Sequence, residues 1–262
     1  MILDEIVAHK RNEVAERKSA VPLESLEERI AAVAPARDFR GALREEGISL
    51  IAEVKRASPS KGDIMPNVKA VELAAVYDQA GARAISVLTD ARFFKGCLDD
   101  LTAVHRNLNR PCLRKEFVID PYQIHEARAA EADAILLIVR ILSDAELKAY
   151  HALASELGMA VLVETHTEEE IKRAMDAGAH IIGINNRDLD TLEVDVQNTL
   201  RLKHRVPGGF TLVSESGIHT REQVRLLEQG GVDAILVGES LLTSRDIQAT
   251  IRELLGHDDD QG

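Results

Sequence analysis

Residues 80–87 read AGARAISV, 130–137 AEADAILL, 177–184 AGAHIIGI and 230–237 GGVDAILV. These four segments align without gaps and recur roughly every 50 residues, the mark of an internal repeat. Each starts as a helix end and passes a turn at Gly81, Glu131, Gly178 or Gly231. It then enters a strand rich in Ile, Leu and Val. A second set of strand-like runs lies between them: 50–55 (LIAEVK), 112–117 (CLRKEF), 161–166 (VLVETH) and 211–216 (TLVSES). Four repeats of two strands predict eight strands. The stretches between carry helix caps: Asp120-Pro121, Ser143 with Glu146, Thr167 with Glu170, and Thr220 with Gln223. Strand and helix alternating eight times imply parallel strands with helical crossovers. An open dinucleotide-binding sheet would want G-x-G-x-x-G, and no two glycines here are separated by one residue. The expected fold is α/β, a closed (β/α)8 TIM barrel.

One barrel domain accounts for residues 1–262, since α/β barrels use about 250 residues as a single unit. Residues 1–47 are expected to form an N-terminal helical extension, 48–255 the barrel, and 256–262 a frayed acidic tail. Ile2, Leu3, Ile6, Val7 and Val14 share a helical face, and Leu23, Leu26 and Ile30 suggest a short second helix after Pro22. The extension is expected to cover the bottom or flank of the barrel. The alternative is a segment near the catalytic mouth that helps to close it.

Composition narrows the function. Hydrophobic residues make up 45% and charged residues 29% of the 262, an ordinary globular balance. A net charge of −12 argues against nucleic acid or a membrane surface as partner, and 3% aromatics leave little for base stacking. Cys97 and Cys112 form no CxxC, and nine histidines show no ligand spacing, so neither a disulfide framework nor a metal is expected. The N-terminus lacks the apolar centre of a signal peptide, and the longest apolar run, Ala134–Val139, falls far short of the ~20 residues of a membrane span. A cytoplasmic protein, monomeric or weakly homo-oligomeric, is expected.

In such a barrel the chemistry sits at the C-terminal ends of the strands. Glu53 and Lys55 end the first strand, Lys115 the third, Glu164 the fifth and Glu215 the seventh. Glu53 and Lys55 are two apart and face the same way, into the barrel if Val54 faces the helices. Asn185, Asn186 and Arg187 end the sixth strand. Gly217 and Gly238, after strands seven and eight, would let backbone N–H groups reach a phosphate, with Glu239 opening the final helix. Glu239 is expected to offer its amide and turn its carboxylate outward. The loop 57–62 (ASPSKG) brings Lys61 and hydroxyls over the same anion. Lys55, Lys61, Lys115 and Arg187 are expected to make the site locally positive, and a neighbouring ammonium with partial burial to lower a lysine pKa. His166 reads as a support for Glu164 rather than a ligand. No Walker motif or nucleophile elbow is present. Two lysines in one pocket keep a Schiff-base mechanism open.

Seven motifs in register resemble the indole-3-glycerol phosphate synthase family: 51–62 (IAEVKRASPSKG), 113–117 (LRKEF) with 120–124 (DPYQI), 137–142 (LIVRIL), 163–165 (VET), 182–189 (IGINNRDL), 213–218 (VSESGI) and 236–241 (LVGESL). The resemblance runs from about residue 3 to about residue 255, with no departure at a catalytic position. It implies closure of 1-(2-carboxyphenylamino)-1-deoxyribulose 5-phosphate to indole-3-glycerol phosphate, carbon dioxide and water, without a cofactor or metal. It implies Lys115 as the general acid at the ketone, and Lys55 as holder of the anthranilate carboxylate and a second proton donor in dehydration. Glu164 would be base or stabiliser of the cationic intermediate, while Glu53, Asn185 and Glu215 orient lysines and substrate hydroxyls. Ser58, Gly217, Gly238 and the Glu239 amide would hold phosphate. Phe94, Leu136, Arg187, Leu189 and Ser216 would line the aromatic and linker portion. Spacing alone leaves either lysine available for either proton transfer. The rival readings are a sugar-phosphate isomerase, which would want a Cys or Asp acid–base pair where Cys112 sits at the wrong strand end, and a Schiff-base lysine aldolase.

Overall fold

The computed structural model describes residues 2–188 and 193–257. Eight strands, β1 (Ser49–Val54), β2 (Ala84–Leu88), β3 (Cys112–Lys115), β4 (Ala134–Ile138), β5 (Ala160–Thr165), β6 (Ile181–Asn185), β7 (Thr211–Glu215) and β8 (Ala234–Val237), close into a barrel. Every neighbouring pair is parallel, and β1 closes the ring by pairing with both β2 and β8. The helices are α1 (Ile2–Ala20), α2 (Leu23–Ala32), α3 (Phe39–Leu43), α4 (Ala70–Gln79), α5 (Ala91–Phe94), α6 (Leu98–Asn107), α7 (Pro121–Ala129), α8 (Asp144–Glu156), α9 (Glu168–Asp176), α10 (Gln197–Leu202), α11 (Arg221–Gln229), α12 (Glu239–Leu242) and α13 (Ile247–Leu255). The TIM barrel expected from the repeat is the fold observed.

Strand side chains alternate between two cores. Leu50, Ile85, Ile135, Val163, Ile182 and Ile235 pack outward against the helices. Ile51, Leu113, Leu136, Leu162, Val213 and Leu236 fill the interior. Because the strand period is two, the residues two positions beyond Ile51, Leu113, Leu162 and Val213 also point inward. These are Glu53, Lys115, Glu164 and Glu215. An apolar floor thus carries a layer of charge at the C-terminal rim.

The extension does not simply cover the bottom or flank; it spans the barrel from end to end. Phe39 and Leu43 of α3 plug the floor, packing with Ile51, Ala84, Leu113 and Ala134. On the flank, Leu26 of α2 and Val14 of α1 pack on Tyr122 of α7. At the other end, Ile2, Leu3 and Ile6 reach the rim and line its cavity. The reason is a buried ionic network on the outer face of β3. Lys10 Nζ lies 2.8 Å from Asp90, 2.8 Å from Glu13 and 3.1 Å from Glu116. Arg114 donates to the Gln123 carbonyl (2.6 Å), Thr89 (3.2 Å) and Glu126 (3.4 Å). Arg17 joins Glu13 (2.6 Å) to Glu126 (3.3 Å).

The caps form as read at Asp120, Ser143 and Thr220, the last two as full reciprocal boxes. At Thr167 only half the box forms. Thr167 accepts from the Glu170 N–H, but the Glu170 carboxylate bonds His166 instead. Residues 258–262 of the expected tail lie outside the described residues. Among the described residues no helix is long and apolar enough to cross a membrane.

Candidate active site

The rim of the barrel holds a cavity of about 210 Å³. Of the residues expected to form the site, Glu53, Lys55, Ser58, Phe94, Lys115, Leu136, Glu164, Asn185, Arg187, Glu215, Ser216, Gly217, Gly238 and Glu239 all line it. Lys61 does not line it, but its ammonium lies 3.4 Å from Glu239 at the entrance. Leu189 lies outside the described residues. The reading missed Phe117, whose ring stands 6.0 Å from that of Phe94, and Ile138; the tip of α1 lines the cavity as the alternative reading of the extension expected. A usable signal existed for Phe117, two residues beyond Lys115 and so facing the same way.

Lys115 is the hub. Its ammonium lies 3.3 Å from Glu164 Oε2 and 3.6 Å from Glu215 Oε2. Burial pulls its pKa down, but the charges of Glu164, Glu215 and Glu53 outweigh burial and hold it well above the ordinary value. A lowered lysine pKa was expected; the correction follows from three carboxylates closing on one ammonium. The two carboxylates nearest it then diverge. Glu164 is also desolvated, yet Lys115, His166 and the Asn185 amide (3.1 Å from Oε1) hold it below the usual range. Glu215 has no hydrogen-bond partner on either oxygen, and burial, opposed by Lys115 and reinforced by Glu164 and Glu53, pushes it up to about 8. One carboxyl is thus held toward its ionised form and its neighbour toward its protonated form, an arrangement suited to acid–base chemistry. Gly183 on β6 makes this possible, because a Cβ there would collide with Glu215 Oε1.

The site is not locally positive in the way the cation count suggested. Lys55 pairs with Glu53 at 3.0 Å, and Glu239 lies 3.4 Å from Lys61 and 3.6 Å from Arg187. Each cation already faces a carboxylate that an anionic ligand could replace. Glu239 therefore does not turn its carboxylate outward, because two cations draw it across the entrance. Nor does it open the final helix: it starts the single turn α12, and α13 begins anew at Ile247 under an Asp246 cap. Ser216 and Gly217 both have positive φ, 68° and 76°, a turn that non-glycine residues rarely adopt. Asn186 turns away from the cavity and holds this turn by donating to the Ser216 carbonyl at 3.0 Å. Gly238 has an ordinary φ of −131°; its lack of a side chain makes room for Glu53, whose Oε1 would lie 2.6 Å from a Cβ. Among the described residues no group of three or more His, Cys, Asp or Glu is disposed to hold a metal ion. Cys112 is the buried first residue of β3, far from the rim, and burial pushes its thiol up.

The family model for indole-3-glycerol phosphate synthase matches residues 3–254. An indole-3-glycerol phosphate synthase of Roseiflexus sp. (strain RS-1) is 50% identical, covering 97% of this chain and 98% of its own. The Acetivibrio thermocellus enzyme of the same name is 48% identical over 97% and 98%. Among solved structures, a thiamine phosphate pyrophosphorylase from Pyrococcus furiosus superposes with a TM-score of 0.60 at 17% identity, covering 84% of this chain and 100% of that one. That likeness shows the barrel alone. With a full-length family match and relatives near half identity, the chain belongs to the indole-3-glycerol phosphate synthase family.

Proposed function

We infer that the rim cavity closes 1-(2-carboxyphenylamino)-1-deoxyribulose 5-phosphate into indole-3-glycerol phosphate, releasing carbon dioxide and water. The observation that carries this reading is the Lys115 ammonium 3.3 Å from Glu164 and 3.6 Å from Glu215 inside the rim cavity. Condensation needs a proton for the ketone oxygen as the aryl carbon attacks it; dehydration then needs an acid for the departing hydroxyl and a base for the adjacent carbon. Lys115, an ammonium throughout the neutral range, supplies the first proton. Glu164 stabilises the cationic intermediate and accepts the carbon-bound proton. Glu215, 3.6 Å from Lys115, holds a proton in reserve.

The substrate's two anionic ends find exchangeable partners. Its carboxylate takes the Lys55 ammonium from Glu53, and Lys55 is placed to protonate the departing hydroxyl. Its phosphate meets Ser58, Lys61 and the N–H groups of Gly217 and Glu239, with Gly238 leaving space alongside. Phe94, Leu136 and the additional Phe117 pack the aromatic ring, under a roof of Ile2, Leu3 and Ile6. Asn185 fixes Glu164, and Arg187 with Ser216 borders the linker. We place the reaction in the cytoplasm of the cell, in a monomer or weak homo-oligomer; Cys97 and Cys112 are both free thiols.

Incubating the protein with this substrate should produce indole fluorescence. Folded protein that produces none overturns the reading. Borohydride added during turnover should leave no adduct mass on Lys55 or Lys115; an adduct would establish the Schiff-base chemistry of an aldolase instead.

A further inference from the structure

Two carboxylates share Lys115 inside the barrel, both almost wholly buried, and only Glu164 accepts hydrogen bonds, from Lys115 and Asn185. Asn185 accounts for part of that difference, and the other part comes from behind the site. His166 follows Glu164 by two residues and so returns to the same face of the strand, yet it does not line the cavity. Its Nε2 lies 3.6 Å from Glu164 Oε1 and has no hydrogen-bond partner. Its other nitrogen, Nδ1, lies 3.3 Å from Glu170 Oε2, and the same oxygen accepts from the His166 backbone N–H at 2.6 Å.

The diverted cap is the second clue. In the pattern Thr-x-x-Glu the glutamate ordinarily reaches back to the backbone N–H of the threonine. Here Glu170 leaves the Thr167 N–H and reaches one residue further, to the backbone N–H and the ring of His166; Gln223 also reaches the His219 N–H at 2.8 Å, but it keeps its bond to the Thr220 N–H at 3.1 Å. A local rule broken at one place, beside a functional carboxylate, marks that place as serving something other than helix stability. With Nδ1 bonded to a carboxylate, the ring is fixed in orientation with Nε2 aimed at Glu164.

We propose that His166 is a positioning residue of the ring-closure reaction: backed by Glu170, it presents an imidazolium to Glu164 Oε1 and holds that carboxylate ionised and oriented toward the substrate. The proposal rests on the ring-closure reading of the cavity. The groups facing His166 are Glu164 on its own strand, Glu170 on α9, Glu215 on β7, and Asn198 on α10, whose amide reaches the His166 carbonyl at 3.4 Å. Arg140 acts in turn on Glu170. Burial disfavours the charged ring, but the Glu170 bond and the charges of Glu164, Glu170 and Glu215 outweigh it, so the imidazolium persists above the usual histidine range. Without it, Glu164 would keep Lys115 and Asn185 but move toward the protonated state of Glu215.

The test compares the parent with His166→Asn, His166→Ala and Glu170→Gln by pH–rate profile, using the carboxyphenylamino substrate. The parent must turn over first, since an inactive parent refutes the ring-closure reading itself. His166→Asn should lower kcat at pH 7 by about 10–100-fold with KM changed less than threefold, and should move the acid limb of the profile upward. Glu170→Gln, which leaves the imidazole in place, should shift the limb in the same direction by less. Added imidazole should restore part of the activity of His166→Ala. If His166→Asn lowers the melting temperature but leaves the acid limb and kcat of the folded enzyme unchanged, or if Glu170→Gln shifts nothing, the proposal is overturned.

Discussion

Strand β3 carries two buried ionic clusters, one on each face, and they are built differently. On the outer face, Arg114 and Glu116 join Lys10, Asp90 and Glu126, with Lys10 held at 2.8, 2.8 and 3.1 Å. Thr89 adds a 2.8 Å bond to Glu116, and Arg114 spends a further donor on a backbone carbonyl at 2.6 Å. On the inner face, Lys115 approaches its carboxylates only at 3.3 and 3.6 Å, and the Glu215 carboxyl has no hydrogen-bond partner on either oxygen. A buried charge is tolerable when close partners satisfy it, and a loosely satisfied one is costly. The outer cluster attaches the extension to the barrel. The inner cluster is left short of partners, which on the proposed reading the substrate supplies. The contrast is sharpest between the two ammonium groups: Lys10 has three carboxylates within 3.1 Å, whereas Lys115 has none closer than 3.3 Å, although Arg114 in the outer cluster also meets Glu126 only at 3.4 Å.

The largest expected effect breaks the outer cluster. Lys10→Met leaves Asp90 buried without its cation and Glu116 with only Arg114 at 3.7 Å, and removing one member of a buried ion pair costs about 3–5 kcal/mol. Denaturant unfolding should show that loss, while kcat of the folded variant stays within about tenfold of the parent. A variant of parental stability would remove the structural role of this cluster. Next, Glu164→Gln in the inner cluster should lower kcat by roughly 10²–10³, about 2.7–4 kcal/mol, with a smaller change in KM. Near-normal turnover with a lowered melting temperature would make Glu164 structural instead.

A pH-dependent effect comes from Glu215. Its folded pKa of about 8 exceeds the ordinary carboxyl value, so between those limits the folded chain holds a proton that the unfolded chain releases. Stability of the parent should fall as pH rises from about 5 to 8 on this account. Glu215→Gln removes the group, and its melting temperature should gain on the parent across that range. A constant difference would contradict the raised pKa. Smallest of all, inorganic phosphate should compete with substrate and stabilise the fold by about 1.4 kcal/mol at ten times its Kd. It should do so equally in Lys10→Met and in the parent, because it binds beside Glu239, whereas Lys10 lies on the outer face of β3 and does not line the cavity. Unequal stabilisation would couple the two clusters.

The barrel was legible because its signals are local and repeated: four aligned segments announce the strands, and period-two alternation sends the charged strand ends inward. The candidate site was legible for the same reason, and most of its residues gather around one cavity. What escaped depends on contacts distant in sequence. Lys10 sits four residues from both Ile6 and Val14, on the apolar face of α1, where a charged residue signals a buried partner; Asp90 and Glu116 could not be named without the fold. The Glu239 carboxylate escaped because the cations that turn it arrive from the loop after β1 and the end of β6. The raised pKa of Lys115 escaped because the sequence counts lysines and glutamates but not their separations.

The most direct test of the account is Lys115→Met, measured for turnover and for unfolding on the same preparation. The account predicts a kcat reduced by at least about 10²-fold, since both the proton donor and its electrostatic stabilisation are gone. It also predicts a smaller stability loss than in Lys10→Met, because Glu164 can take up a proton where Lys115 stood and Glu215 is already held toward its protonated form. Turnover within about tenfold of the parent, or an unfolding penalty as large as that of Lys10→Met, would contradict the assignment of chemistry to the inner face of β3.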